Sequence, residues 1–254
     1  MARNPTTGPI RRGWFQRLDD SASTRLRLLC FPPLVAAEAR FADWRGRLPD
    51  GVEIGLFDPL GQGGRGAAPA GLAEMAAAAA AEIAALPKRL LLLFGHREGA
   101  VHAFETARAL ECGHGIVPER LFLSGWPAPD AGRAPVPPAS DAALIERLRS
   151  AGTPQEALDH SELSAVILAR LRHALALIAG HRPSASPAPS GPATLVYGER
   201  EPLAGKEEMA GWGRWLGPVE TLGLAGGGEF LVARETEIVA AVAAAAVEAL
   251  NARP

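Results

Sequence analysis

Leu91-Leu92-Leu93-Phe94-Gly95-His96-Arg97-Glu98-Gly99-Ala100 decides how this chain folds. Five consecutive apolar residues, Leu90 to Phe94, read as a strand buried on both faces. The strand runs into Gly95-x-x-x-Gly99 and straight on into a helical pattern over 99–112. Such a turn has the form of a nucleophile elbow, whose middle residue is held in a strained conformation at the C-terminal edge of a sheet. The flanking residues must be glycine, because side chains there would collide with the neighbouring strand and helix. The middle residue in this chain is Arg97.

Outward from the elbow, short apolar runs at 26–32, 52–58, 89–95, 120–125, 194–198 and 219–224 read as strands. Between them lie helix candidates at 36–47, 72–86, 99–112, 206–216 and 235–250. This alternation predicts an α/β fold, with a mostly parallel central sheet and helices on both faces. One block breaks the rhythm, because 138–181 is helical throughout. Thr153-Pro154-Gln155-Glu156 has the form of a capping box with proline at the first helical position. Asp159 with Glu162 marks the start of a further helix, whose apolar residues include Leu163, Val166, Ile167, Leu171, Leu175 and Ile178. The block is expected to cap the sheet as a helical insertion. Segment 182–193 (RPSASPAPSGPA) reads as a flexible surface connection, since proline and small polar residues offer little to bury. The chain is expected to be one domain, 1–254.

Composition narrows the function. Twenty-six basic residues against 28 acidic ones give a net charge of -2, which removes the electrostatic warrant for nucleic-acid binding. With 48% hydrophobic and 21% charged residues, the 254-residue chain has ample material for a core. Cys30 and Cys112 cannot form a disulfide framework or a four-cysteine zinc site, and both are expected to be buried thiols. No His/Cys/Asp cluster has metal spacing, so neither metal nor cofactor is expected; His102, His114, His160 and His173 stand singly. Gly61-Gln62-Gly63-Gly64-Arg65-Gly66 matches G-x-G-x-x-G, but residues intervene on both sides and no acidic residue ends a following strand ~20 positions on, as ribose binding requires, so a glycine loop is the better reading. Residues 1–15 lack an apolar h-region, and the apolar stretch 238–247 falls short of the ~20 residues of a membrane span. A cytoplasmic location is the expectation.

From Trp14-Phe15 to the last helix the sequence resembles the type II thioesterases, the stand-alone α/β-hydrolases of polyketide and nonribosomal peptide pathways. The resemblance runs through Leu29-Cys30-Phe31-Pro32, Pro59-Leu60-Gly61, Phe94-Gly95-His96, Phe104-Glu105, Ser124-Gly125, Gly152-Thr153-Pro154, Pro202 and Gly226-Gly227. It implies that 138–181 is a lid, and that the partners are an acyl or peptidyl carrier protein with a phosphopantetheine-linked substrate, or another pathway enzyme. It also implies where the catalytic residues should stand, and there the chain departs from the family. Arg97 occupies the place of the nucleophilic serine, Glu201 that of the acid, and Gly228, followed by Glu229, that of the histidine. The family's first oxyanion-hole loop, Phe-Pro-His-Ala-Gly-Gly, is here Phe31-Pro32-Pro33-Leu34-Val35-Ala36.

Acyl transfer through a covalent intermediate needs an oxygen or sulfur nucleophile with a base in reach. Arginine stays protonated at physiological pH and cannot attack a thioester. Two readings of Arg97, Glu98, Glu201 and Glu229 follow, with Pro33, Leu34 and Glu98 expected to line the substrate side. In one, the charges form a salt-bridged plug in a dead site, and the protein acts by binding. In the other, Arg97 binds an oxyanion while Glu201 or Glu229 shuttles a proton, giving cyclisation, dehydration or decarboxylation without a covalent step. A third possibility, an editing thioesterase with a different nucleophile, points to Ser124 as the nearest hydroxyl at a strand end.

Overall fold

The decisive stretch forms strand β5 (Leu90–His96) and runs directly into helix α3 (Glu98–His114) in a computed structural model. The structure describes residues 10–17, 23–34, 39–59, 69–129, 140–150, 153–183, 188–201, 204–227 and 230–252. Leu91 to Phe94 are each at most 4% exposed, as a central strand covered on both faces requires. Their side chains alternate between two cores. Leu91 and Leu93 join Leu29, Phe31, Phe104 and Leu123 on one face. Leu92 and Phe94 join Leu28, Phe122, Val196 and Val242 on the other.

The remaining strands are β1 (Ile10–Arg12), β2 (Phe15–Arg17), β3 (Leu26–Phe31), β4 (Val52–Phe57), β6 (Arg120–Ser124), β7 (Ala193–Gly198) and β8 (Val219–Leu224). They make one eight-stranded sheet in the order β1-β2-β4-β3-β5-β6-β7-β8. Every pairing from β4 through β8 is parallel, and only the pairings of β2, with β1 and with β4, are antiparallel. The six strands expected from apolar runs are all present. The hairpin β1–β2 was not anticipated, because three-residue strands leave no usable periodicity. It is held by Glu82, whose carboxylate accepts hydrogen bonds from the N–H groups of Trp14 (2.6 Å) and Phe15 (3.2 Å).

The helices are α1 (Ala39–Ala42), α2 (Leu72–Ala84), α4 (Asp141–Ser150), α5 (Gln155–Asp159), α6 (Ser161–Gly180), α7 (Lys206–Ala210), α8 (Phe230–Ala233) and α9 (Glu235–Ala252). Two expected helices are tighter than predicted. After α1 the chain winds as a 3-10 helix over Asp43–Arg47, and after α7 over Gly211–Arg214. Glycines at 46, 211 and 213 lower α-helix propensity in both segments.

The block between β6 and β7 is helical, as α4, α5 and α6, and its Leu144, Leu148, Leu158, Leu171 and Leu175 join the first core. Its caps differ from expectation. Helix α5 is capped by Pro154 without a side-chain bond, so Thr153 is no capping-box residue. His160, rather than Asp159, caps α6 by accepting from Leu163 N–H at 3.4 Å; Asp159 instead accepts from Gln155 Nε2 at 2.7 Å. Of the apolar residues named for this helix, Leu163 and Val166 are 45% and 50% exposed. By length and composition α6 is the one helix among the described residues that could cross a membrane, so the sequence reading overlooked it. In the connection 182–193, Ser190 N–H binds Glu111 Oε2 at 2.9 Å and Ala193 is already a buried residue of β7.

Candidate active site

The elbow is built by close packing around its glycines. A Cβ on Gly95 would lie 2.5 Å from the Gly99 carbonyl oxygen. A Cβ on Gly99 would lie 2.6 Å from the Pro32 carbonyl oxygen and closer still to that of Phe31. Strand, helix and the loop after β3 therefore meet at backbone distance. Arg97, between them, has φ 52° and ψ -127°, the one positive φ outside glycine among the described residues. A side-chain-bearing residue held there costs of order 1–3 kcal/mol. Two backbone bonds hold it: Arg97 N–H donates to the Ser124 carbonyl and Ala100 N–H to the Arg97 carbonyl, both at 2.8 Å.

Other strand ends converge on this turn. His96 and Ser124 are register partners, and His96 Nδ1 lies 2.9 Å from Ser124 Oγ. Ser124 is fully buried and His96 is 4% exposed. The Phe230 ring packs edge-on against His96 with centroids 5.6 Å apart, bringing the start of α8 onto the end of β5. Beyond β7, Arg200 N–H donates to the Gly226 carbonyl at 2.8 Å, so the turn carrying Glu201 packs on the loop after β8.

The expected site residues are distributed as follows. Arg97 is half-buried and Glu98, first in α3, is 3% exposed. Leu34 is buried and Pro33 half-buried in the loop that touches Gly99. Glu201 is 8% exposed, and its Oε2 has no hydrogen-bond partner among the described residues. Gly228, Glu229 and the glycine loop 61–66 lie outside the described residues.

Sequence reasoning missed a second polar cluster along α3. His181, just past α6, places Nε2 at 2.9 Å from Glu105 Oε1, and Arg108 Nη1 donates to both Glu105 oxygens at 3.0 Å. Beside them His102 is 2% exposed, and its Nε2 has no hydrogen-bond partner among the described residues; burial, with a smaller push from His181, lowers its pKa to about 3. His102 and Glu105 share one helix face, three residues apart, but nothing in the sequence marks His181 as their neighbour. A cavity of about 50 Å³ lies next to this cluster, lined by Val101, Trp126, Pro127, Pro129, Ile178 and His181. It has room for a few waters.

Cys30 is buried, which pushes its thiol pKa upward, whereas Cys112 is exposed near the end of α3. The expectation of two buried thiols is thus half wrong; Cys112 falls on the solvent side of its helix. Among the described residues no group of three His, Cys, Asp or Glu is placed to hold a metal.

A mostly parallel sheet, a helical block inserted after β6 and a strained strand–helix elbow define the α/β-hydrolase class. Within that class, the family profile described as "Thioesterase domain" matches residues 26–245. The chain belongs to the thioesterase family. It is 32% identical over 225 residues to the thioesterase PikA5 of Streptomyces venezuelae, covering 85% of this chain and 79% of that protein. It is 33% identical over 241 residues to the AMB antimetabolite synthetase AmbE of Pseudomonas aeruginosa; the match covers 93% of this chain and spans only 11% of the synthetase. Among solved structures, the type II thioesterase BorB from the borrelidin biosynthetic cluster superposes with a TM-score of 0.74 at 23% identity, covering 91% of this chain and 97% of BorB.

Proposed function

We propose that this chain is a type II thioesterase-like protein of a polyketide or nonribosomal peptide pathway that does not hydrolyse thioesters through a serine triad. It acts by binding a carrier protein, the acyl cargo on that carrier's phosphopantetheine arm, or another enzyme of the pathway. One observation carries the reading: the residue at the middle of the elbow, where an attacking oxygen would stand, is Arg97. A guanidinium has no lone pair to offer and stays protonated. The names of its relatives, a thioesterase and an antimetabolite synthetase, support the pathway context.

A second reading is favoured by Glu201. A carboxylate oxygen buried without a described partner is costly to maintain and suits a group that meets a ligand. On this reading Arg97 holds an oxyanion of the bound intermediate, and Glu201 or Glu229 moves a proton. Ser124 is a weaker candidate for a substitute nucleophile, being fully buried and hydrogen-bonded to His96.

The test is incubation with acyl-loaded carrier proteins, followed by mass spectrometry of carrier and chain. The binding reading expects a carrier complex, intact cargo and no acyl adduct on this chain. Altered cargo, lost on Arg97→Ala and on Glu201→Gln, would establish the second reading. An acyl adduct on the chain, or hydrolysis abolished by Ser124→Ala, would overturn both.

A further inference from the structure

Helix α6 turns an apolar stripe flanked by charges to the outside. At about 100° per residue, Glu162, Leu163, Val166, Ala169 and Arg170 fall within about 60° of one line along the helix. All five are exposed, Leu163 and Val166 at 45% and 50%. These two are among only five large hydrophobics exposed in the described residues, and the only pair on one helix face one turn apart. Further along the same face, His173 Nε2 lies 3.0 Å from the Pro69 carbonyl. Glu162 and Arg170 have no ion-pair partner among the described residues. Eight residues apart, they are too distant to pair with each other along one helix, where partners sit three or four positions away.

The order of these residues is self-complementary under a twofold axis through Val166. An antiparallel copy sets Glu162 against Arg170 of its partner and Arg170 against the partner's Glu162. It also sets Leu163 against the partner's Ala169, large against small, and Val166 against itself. We propose that this stripe on α6 is an interface through which two copies of the chain pair antiparallel, with Val166 on the axis. Self-complementarity of this kind is what an isologous contact needs. No arrangement with a parallel copy satisfies both charges. A stripe of five residues on one helix is smaller than the ~800 Å² per partner of a stable complex, so the dimer is weak. It joins the two helical insertions and leaves both elbows to their own chains.

Sedimentation over a range reaching about 1 mM should show the chain associating. Glu162→Arg or Arg170→Glu alone puts like charges together twice per dimer and weakens association roughly tenfold or more. Glu162→Arg combined with Arg170→Glu swaps the charges and restores the wild-type dimer. A Cys112→Ser, Val166→Cys chain should also form disulfide dimers on mild oxidation faster than a Cys112→Ser, Val247→Cys control, whose cysteine replaces an equally exposed valine on α9. A chain monomeric throughout, a dimer indifferent to the single reversals, a double reversal without recovery, or equal cross-linking at 166 and 247 would each overturn the proposal.

Discussion

His102 should make the protein lose stability as the pH falls. The ring lies on the inner side of α3, 2% exposed, 5.2 Å from the Phe57 ring. Glu105 and Arg108 lie further along the same helix, and His181 approaches from the end of α6. Its pKa is held at about 3, against 6.5 for an ordinary imidazole, mainly because burial penalises the charged form. Below pH 6.5 the unfolded chain takes up a proton that the folded chain refuses, so unfolding is favoured as acid is added. At 1.36 kcal/mol per pH unit, lowering the pH from 6.5 to 5 costs about 2 kcal/mol from this group. The loss continues down to the folded pKa near 3. His102→Leu removes the titrating ring. Urea unfolding of both proteins at pH 7.5 and pH 5 should show the wild type losing about 2 kcal/mol more than the variant. The same comparison in a His181→Gln background keeps the neighbouring imidazole from contributing. A wild-type and variant pair whose stability difference stays constant across that range would refute the reasoning.

Two further perturbations test the scaffold. Gly99→Ala must push a Cβ into the Phe31 and Pro32 carbonyls, so thermal unfolding should show a loss of about 3 kcal/mol, whereas Gly113→Ala on the same helix meets nothing within 4 Å and should gain up to about 1 kcal/mol. Arg27 and Glu53, 3% and 1% exposed and bonded at 2.5 Å, form a buried pair with Arg89 nearby. Arg27→Met should cost about 3–5 kcal/mol by leaving Glu53 buried beside a less favourably placed cation, and Arg27→Met with Glu53→Leu should recover most of that loss in chemical denaturation.

The parts of this architecture legible in the sequence are those fixed by local pattern. Leu90 to Phe94 read as a strand covered twice, and Gly95 and Gly99 as a turn that side chains would block. Both hold because the constraint is carried by adjacent residues. What escaped reading depends on partners distant in the chain. The His181–Glu105 bond joins residues 76 apart, and the Glu82 clamp on Trp14 joins residues 68 apart. The outward stripe of α6 escaped for a different reason. Val166 lies about 180° around the helix from the buried Leu175, and Leu163 about 80° from the buried Leu171, so apolar residues ring α6 and its sequence alone does not say which of its faces the core covers. Cysteine 112 was misjudged in the same way, by treating an apolar neighbourhood as a buried one.

The elbow also shows what fixes such a turn. In a serine enzyme the strained conformation presents the attacking hydroxyl, so strain and function are usually discussed together. Here the restraints on Arg97 come from its neighbours: the close approach of Gly95 to Gly99, of Gly99 to the loop after β3, and the Arg97 N–H bond to Ser124. None of them involves the side chain at position 97. The conformation is therefore a property of the strand, the helix and the β3 loop, and it would be imposed on whatever residue the sequence supplied. Removing a nucleophile from such a site leaves the fold with no packing reason to relax the turn. Likeness of fold to active thioesterases is accordingly silent about turnover, and the question passes to the chemical nature of one side chain, which in this protein is a cation.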